Sequence, residues 1–420
     1  MNPNARHETG AEPALPLTGI RVVEFTHMVM GPTCGMMLAD LGAEVIKIEP
    51  VQGDNTRRLK GSGAGFFTMF NRNKKSLPVN LQDPRGIELV LKLIATADIV
   101  SENFKAGTMA RLGLDYATLS KLNERLIYVS HKGFLPGPYQ HRTALDEVVQ
   151  MMGGLAYMTG PEGRPLRAGA AVNDIMGGMF GAMGAMAALL ERQRTGRGQE
   201  VQSALFENNV FLVGHHMMQY AVTGKPAAPM PSRISAWAVY DVFTVKDGEQ
   251  IFLAVVSDTQ WKLFCEAFDF ADLAADARLA GNNDRVEARA WLMPILRERL
   301  ASQPAAAIAA RFEAQGLPYA PIAKPQDLFD DPHLAATGGL ADVVLPQDGA
   351  GSGAGGGAGS GASAHAKVPL LPITLGGRRP GVRIDPPALG AHGAQLLETL
   401  GLSATQIAAL TEAGVVGPVN

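Results

Sequence analysis

Cysteine is nearly absent from this sequence: its 420 residues hold two, Cys34 and Cys265, far apart and with no His or second Cys at metal-ligand spacing. A disulfide framework is excluded, and structural zinc is disfavoured. Net charge is small as well. Lys and Arg number 37 against 40 Asp and Glu, a formal charge of -3, which provides no broad basic surface for nucleic acid or an anionic membrane. An anionic ligand must therefore be held by local charge. The opening residues, MNPNARHETGAEPALP, contain no apolar stretch of signal-peptide or membrane-span length, so a soluble protein in the reducing cytoplasm is expected. The phosphate fingerprint G-x-G-x-x-G is missing too. After the first strand-like run the chain reads FTHMVMGPTCG, which argues against a nicotinamide-dependent dehydrogenase.

What is present is a rhythm. A length of 420 residues with 46% hydrophobic residues is enough for two domains. From about residue 20 to 135, β-branched runs alternate with amphipathic stretches: GIRVVEF, PTCGMMLADLG, AEVIKIE, SLPVNL, PRGIELVLKLIATA, DIVSEN and RLIYVSHKG. That alternation predicts a doubly wound α/β domain with a parallel sheet. DIMGGMFGAMGAMAALLERQR, from Asp174 to Arg194, predicts a helix buried on most faces; its uncharged part is short for a membrane span and is broken by glycines. The proline-rich TGKPAAPMPSRIS marks a boundary. Beyond it, AWAVYDVFTVKDGEQIFLAVV reads as two strands around a Lys-Asp-Gly turn, followed by helices from Thr259 to about Gln315, a smaller α+β domain. Residues 349–364 are Gly, Ser and Ala alone and predict a flexible loop, after which GVRIDPPALGAHGAQLLETLG regains strand-like and helical character. The expected division is 15–222 with 335–420 as the large domain and 223–334 as the small one.

The chemically informative stretch is RPLRAGAAVNDIMGG, where one Asp stands at the start of an uncharged, glycine-rich helix. Asn173 or Asp174 can serve simply as a helix cap there. Capping does not exclude catalysis, because N–H groups that keep a carboxylate ionised leave it able to attack an activated carbonyl.

Four segments together carry a resemblance: EFTHMVMGPTCGMMLADLGAEVIKIEP at 24–50, NRNKKSLPVNLQDPRG at 71–86, SENFKAGTMARLGL at 101–114, and VNDIMGG followed by RTGRGQEV at 194–201. In order and spacing they resemble the class III coenzyme A transferases, the formyl-CoA transferase and CaiB/BaiF family. The resemblance implies a Rossmann-like large domain built from both chain ends, a small domain, and two identical subunits threaded through one another as an interlocked homodimer. It implies Asp174 as a nucleophile that passes through acyl-aspartyl anhydride and aspartyl-CoA intermediates. The CoA thioester is then a substrate, a carboxylic acid is the second substrate, and no tightly bound cofactor or metal is needed. It also places Val79, Asn80, Leu81 and Gln82 beside the CoA nucleotide, with Asn103, Phe104, Lys105 and Arg111 nearby, Val29 and Met30 in a loop approaching the thioester, and Leu145 and Asp146 among the residues that contact the CoA substrate. Lys74, Lys75, Arg57 and Arg58 are expected to be solvated surface charges.

Two departures shape the expected reaction. Related α-methylacyl-CoA racemases carry a His before the Asp of the segment that here reads RTALDEVVQ, so Leu145 and Asp146 occupy that place. Leucine cannot carry a proton, which disfavours racemisation. Formyl-CoA transferase has a Gln where Val29 stands and a glycine-rich loop where PMPSRISAWAVYDVF stands, which puts oxalate and formate in doubt. Arg233 with Ser235 is a candidate fork for the distal carboxylate of a dicarboxylic acid, with succinyl-CoA as donor. A non-catalytic CoA-binding protein is the alternative of another class, opposed by Asp174 with its flanking Asn173 and glycines. His141 is expected at the surface, His27 in a structural role, and His215 and His216 in packing or on a helix surface.

Overall fold

The computed structural model describes residues 14–233, 235–346 and 365–419. The chain forms two compact units, one joining the described residues up to Pro226 to those from Pro332 onward, the other spanning Ala227–Asp331. The expected Gly/Ser/Ala loop at 349–364 lies outside the described residues.

The first unit opens with β1 (Arg21–Phe25), α1 (Met30–Asp40), β2 (Glu44–Glu49), α2 (Phe66–Phe70), β3 (Lys74–Pro78) and α3 (Pro84–Ile94). It continues through β4 (Ile99–Glu102), α4 (Thr108–Arg111), α5 (Tyr116–Leu122) and β5 (Ile127–Lys132). Then come α6 (Asp146–Met152), α7 (Leu155–Thr159), α8 (Val172–Thr195), β6 (Glu200–Ala204) and α9 (Leu205–Thr223). The six strands form one parallel sheet in the order β3-β2-β1-β4-β5-β6. Its central strands are near-continuous buried runs, such as RVVEF and EVIKIE, because helices cover both faces of a parallel sheet. The order reverses between β1 and β4, and the crevice outside the carboxyl ends of those strands is where open α/β sheets bind ligands.

Local chemistry sets the helix ends. Asp83 caps α3 by accepting from the Arg85 N–H at 2.9 Å, with Pro84 at the first helical position. Gly196 stops α8 with a left-handed φ of 74°. Strand β3 starts earlier than the apolar pattern predicts and stops at Pro78. Lys74 and Lys75 enter the sheet because their ammonium groups reach Glu24 and Glu44, at 2.8 and 2.7 Å. β6 was not foreseen as a strand, since its exposed Glu200 and Gln202 at the sheet edge mask the pattern.

The second unit holds β7 (Val239–Thr244) and β8 (Gln250–Val255), then α10 (Asp258–Ala267), α11 (Ala271–Ala275), α12 (Asn282–Glu287), α13 (Arg289–Leu300), α14 (Ala305–Ala314) and β9 (Tyr319–Pro321). The three strands are antiparallel, and the Lys246-Asp247-Gly248 turn is as expected, with φ of 58° at Asp247 and 76° at Gly248. Phe264, Phe268, Phe270 and Phe312 form its aromatic centre.

After α15 (Pro332–Ala336), β10 (Leu340–Val344) pairs antiparallel with β11 (His365–Pro369), and α16 (Gly393–Thr399) and α17 (Ala404–Glu412) follow. The segment GVRID is not a strand. Its backbone is tied down singly instead, with the N–H of Ile384 donating to Asn73 Oδ1 at 2.9 Å and its carbonyl accepting from Asn73 N–H at 2.8 Å. Leu396, Leu397, Ile407, Val415 and Val416 join the core beneath β1 to β5, so the chain end completes the first unit. Among the described residues no helix is long and apolar enough to cross a membrane.

Candidate active site

At the sheet's reversal point, β1 ends in Phe25 and β4 in Glu102, and the residues just beyond are locked together. The N–H of His27 donates to Asn103 Oδ1 at 3.0 Å, and Asn103 Nδ2 donates back to the His27 carbonyl at 2.8 Å. Lys47 Nζ holds the carbonyl of the preceding Thr26 at 2.6 Å from below. Met28 follows, exposed and in the left-handed region with φ of 64°, a conformation that costs a non-glycine residue roughly 1–2 kcal/mol. His27 serves through its main chain, consistent with the structural role expected, while its ring stands exposed 6.0 Å from that of Phe104.

Helix α1 starts immediately after this loop and packs along α8. The contact is close because Gly177 and Gly178 lack side chains: a Cβ on Gly178 would fall 2.5 Å from the Met30 carbonyl oxygen, and one on Gly177 would fall 2.4 Å from Met30 Cε. Val29 belongs to a small buried cluster with Met36, Phe70 and Leu371, against which pack Ala171 and Ile175, the residues that bracket the first turn of α8. The start of α8 is thereby set beside the reversal loop, and Asp174 lies in that first turn.

Neither Asn173 nor Asp174 caps the helix, contrary to the simple expectation. The N-cap residue is Ala171, and Asp146 Oδ1, from the start of α6, accepts the N–H groups of Asn173 at 2.8 Å and Asp174 at 3.1 Å. With the helix donors taken, the Asp174 carboxyl accepts no side-chain hydrogen bond among the described residues. Burial, reinforced by the Asp146 carboxylate and opposed by Arg167, pushes it up to about 7. A carboxyl so placed is desolvated, half-buried, unpaired and poised to exist as either acid or anion near neutrality, which suits a nucleophile more than a structural cap.

The other expected residues divide. Asn80, Leu81 and Gln82 lie in the turn between β3 and α3, on the same edge of the sheet as the reversal loop, and Gln82 is exposed. Asn103 and Phe104 flank that loop, with Lys105 and Arg111 exposed beyond it. Three expectations need correction. Val29, Met30 and Val79 are 1%, 5% and 1% exposed, so their side chains are core packing and only their main chains can meet a ligand. Leu145 is 64% exposed, beside the buried Asp146, whose carboxylate is engaged by α8 and by Gln150 and therefore does not reach out toward a ligand. Lys74 and Arg57 are not solvated: Lys74 is sealed against Glu24, Asn71 and the Pro32 carbonyl, and Arg57 against Glu49 at 2.7 Å. Lys75 is half-buried against Glu44, and Arg58 alone of the four is exposed.

Arg233 is exposed and donates to the Met230 carbonyl at 3.1 Å, while Ser235 is buried with its Oγ accepting from the Trp237 N–H at 3.2 Å. The two therefore do not form a carboxylate fork. His141 is exposed and His215 sits on the surface of α9, as expected. Gln150 and Arg167, which hold Asp146, escaped the sequence reading. The four-residue spacing of Asp146 and Gln150 on one helix was a usable signal, but nothing in PLRAG marked Arg167.

A family model described as CoA-transferase family III matches residues 17–393. An acetyl-CoA:oxalate CoA-transferase of Acetobacter aceti is 36% identical over 335 residues, covering 78% of this chain and 86% of that relative. A succinyl-CoA:glutarate CoA-transferase of Mus musculus is 33% identical over 351 residues, covering 82% of this chain and 80% of that relative. Among solved structures, a CAIB/BAIF family protein from Brucella suis matches with a TM-score of 0.80 at 33% identity, covering 92% of this chain and 100% of that one.

Proposed function

Because this chain belongs to CoA-transferase family III, we propose that it moves coenzyme A from an acyl-CoA to a carboxylic acid with Asp174 as the nucleophile. The observation that carries the assignment is the unpaired, desolvated carboxyl of Asp174 in the first turn of α8, with the helix N–H groups diverted to Asp146. The ionised Asp174 attacks the thioester carbonyl; the C–S bond breaks, and CoA leaves as thiolate from an aspartyl-acyl anhydride. The thiolate returns to the aspartyl carbonyl, releases the donor acid and leaves an aspartyl-CoA thioester. The acceptor carboxylate then attacks that thioester, and the same steps in reverse deliver the new acyl-CoA. Each step conserves most of the activation of the original thioester, which is the gain from covalent catalysis.

The acceptor we propose is a small dicarboxylic acid and the donor succinyl-CoA. Relatives named for glutarate and for oxalate support the dicarboxylate class, and the oxalate relative returns oxalate to the acids worth assaying. Leu145 supports transfer over racemisation, since an exposed aliphatic side chain offers no proton. The nucleotide end of CoA is assigned to the exposed edge formed by Asn80, Gln82, Lys105 and Arg111, where exposed cations can meet phosphate. The working form is a cytoplasmic homodimer. Met179, Met183, Phe211, Met217 and Met218 expose an apolar face along α8 and α9 of a kind soluble monomers rarely leave uncovered.

The deciding experiment follows thioester exchange from succinyl-CoA to glutarate, oxalate and other acids, with mass analysis of enzyme quenched in hydroxylamine. Transfer to at least one dicarboxylate, a modification at Asp174, and a loss on the order of 10⁴-fold or more in Asp174→Ala are expected. Exchange at the original rate in that variant overturns the assignment.

A further inference from the structure

The hydrogen bonds that place Asp174 come from a residue 28 positions earlier in the chain. Asp146 is 7% exposed, and both of its carboxylate oxygens are committed. Oδ1 accepts two main-chain N–H groups, those of Asn173 at 2.8 Å and Asp174 at 3.1 Å, and these are the otherwise unpaired donors of the first turn of α8. Oδ2 accepts from Gln150 Nε2, one turn along α6, and lies 3.8 Å from Arg167 Nη2. Gln150 in turn accepts the Ala168 N–H at 2.8 Å through its own Oε1. Arg167 also pairs with Glu147, and its Nε donates to the Ala168 carbonyl at 3.0 Å. The strand of chain leading into α8 and the first turn of α8 itself are therefore fastened to α6 through one carboxylate.

We infer that Asp146 is the positioning residue of the proposed nucleophile, a carboxylate that fixes the main chain of Asp174 and leaves its side chain free to react. This rests on the reading of Asp174 as the attacking group. The placement does two things at once. A side chain that accepts the helix N–H groups removes the donors that would otherwise stabilise the Asp174 anion, so the nucleophile is kept reactive. And a carboxylate anchored on three sides holds the attacking residue to the tolerance that near-attack geometry demands, where about 1 Å of misplacement can cost roughly 100-fold. Asp146 need touch neither substrate nor CoA, which agrees with its burial and corrects its expected role as a ligand contact.

The charge of Asp146 also acts on Asp174. Elements packed against α8 carry other titratable groups, among them Cys34 on α1, His131 on β5, Glu200 on β6 and Glu207 on α9. The charges that act on the Asp174 carboxyl are those of Asp146, which raises it, and Arg167, which lowers it. Removing the negative charge of Asp146 therefore moves the ionisation of Asp174, and with it the acid limb of the rate profile, to lower pH.

The test uses the full-length chain, succinyl-CoA as donor and glutarate as acceptor, measuring both steady-state exchange and the single-turnover rate of adduct formation at Asp174. In Asp146→Ala, adduct formation and kcat fall by about 100-fold while KM for succinyl-CoA changes by less than about threefold. In Asp146→Asn, which keeps an oxygen for the two N–H groups but no charge, the rate lies between those of Asp146→Ala and wild type, and the acid limb shifts to lower pH. Adduct formation in Asp146→Ala at the wild-type rate overturns the inference, as does an acid limb that stays in place in Asp146→Asn. Should Asp146→Ala fail to give the wild-type circular dichroism spectrum, the acid limb of Asp146→Asn decides alone. A wild-type enzyme that exchanges CoA with no adduct at Asp174 removes the nucleophile reading itself, an outcome separate from any result on the Asp146 variants.

Discussion

Above neutral pH the Asp174 carboxyl is ionised in a place that disfavours its charge. Its folded value, raised from 3.8 to about 7 by burial first and Asp146 second, exceeds that of the unfolded chain. Between those two pH values the folded protein holds a proton that the unfolded chain has released. Stability therefore falls as pH rises from about 4 to 7, and the full penalty stands above 7. Asp174→Asn removes the charge and should raise the melting temperature at pH 8 by at least about 1–2 °C, the scale of ~1 kcal/mol for a unit of this size. The gain should fade as pH approaches 4, where the folded carboxyl is protonated and carries no buried charge. Melting curves at the two pH values check this, and an equal gain at both would show that charge is not its origin. The place of Asp174 in the first turn of a charge-poor helix was legible from the residues, but they alone read equally as a helix cap, and only the family resemblance proposed a nucleophile. Asp146 as its anchor was not legible, because its hydrogen bonds join positions that only the fold brings together. Lys74 and Arg57 were misread for a related reason: lysine and arginine are rarely buried unless paired, and their partners are Glu24 on β1, two strands away from Lys74, and Glu49 at the end of β2.

Among the elements, the α1–α8 contact does most to position Asp174, the proposed nucleophile, and it depends on two glycines. Gly178 admits the Met30 carbonyl and Thr33 at distances no side chain allows, both 2.5 Å from a hypothetical Cβ. Main chain cannot step aside as a flexible side chain can. Gly178→Val should therefore destabilise by about 1–3 kcal/mol and, by tilting the first turn of α8, lower exchange further than the stability loss explains. Urea midpoints and kcat measured well below the transition separate the two effects; full activity in a destabilised variant would uncouple this contact from the site. The glycine-rich run predicted close packing but could not name the partner. The βα rhythm was readable because each central parallel strand opens on large apolar residues and is buried almost throughout, as in Ile99–Glu102 and Ile127–Lys132. It failed where side chains break that pattern, at the lysines opening β3 and the polar edge strand β6.

For the whole molecule, two copies are the natural way to cover what one leaves open. Phe211 and Val222 are 73% and 79% exposed on α9, and Met179, Met183 and Leu190 line the outer side of α8, a run of large apolar groups on adjoining helices. Composition could not reveal this face, because small and sulfur-bearing residues in α8 suit a buried helix and a subunit interface equally. The proposed homodimer should sediment at twice the chain mass at micromolar concentration, and Phe211→Glu with Met218→Glu should deplete that species. Interlocking makes a sharper demand. Threaded subunits part only by unfolding, so tagged and untagged dimers mixed under native conditions should form no mixed species on any timescale shorter than unfolding itself, yet should form them after joint denaturation and refolding. Rapid native exchange would leave a dimer of ordinary, separable subunits, and a monomeric wild-type chain would leave the apolar face of α8 and α9 to another partner.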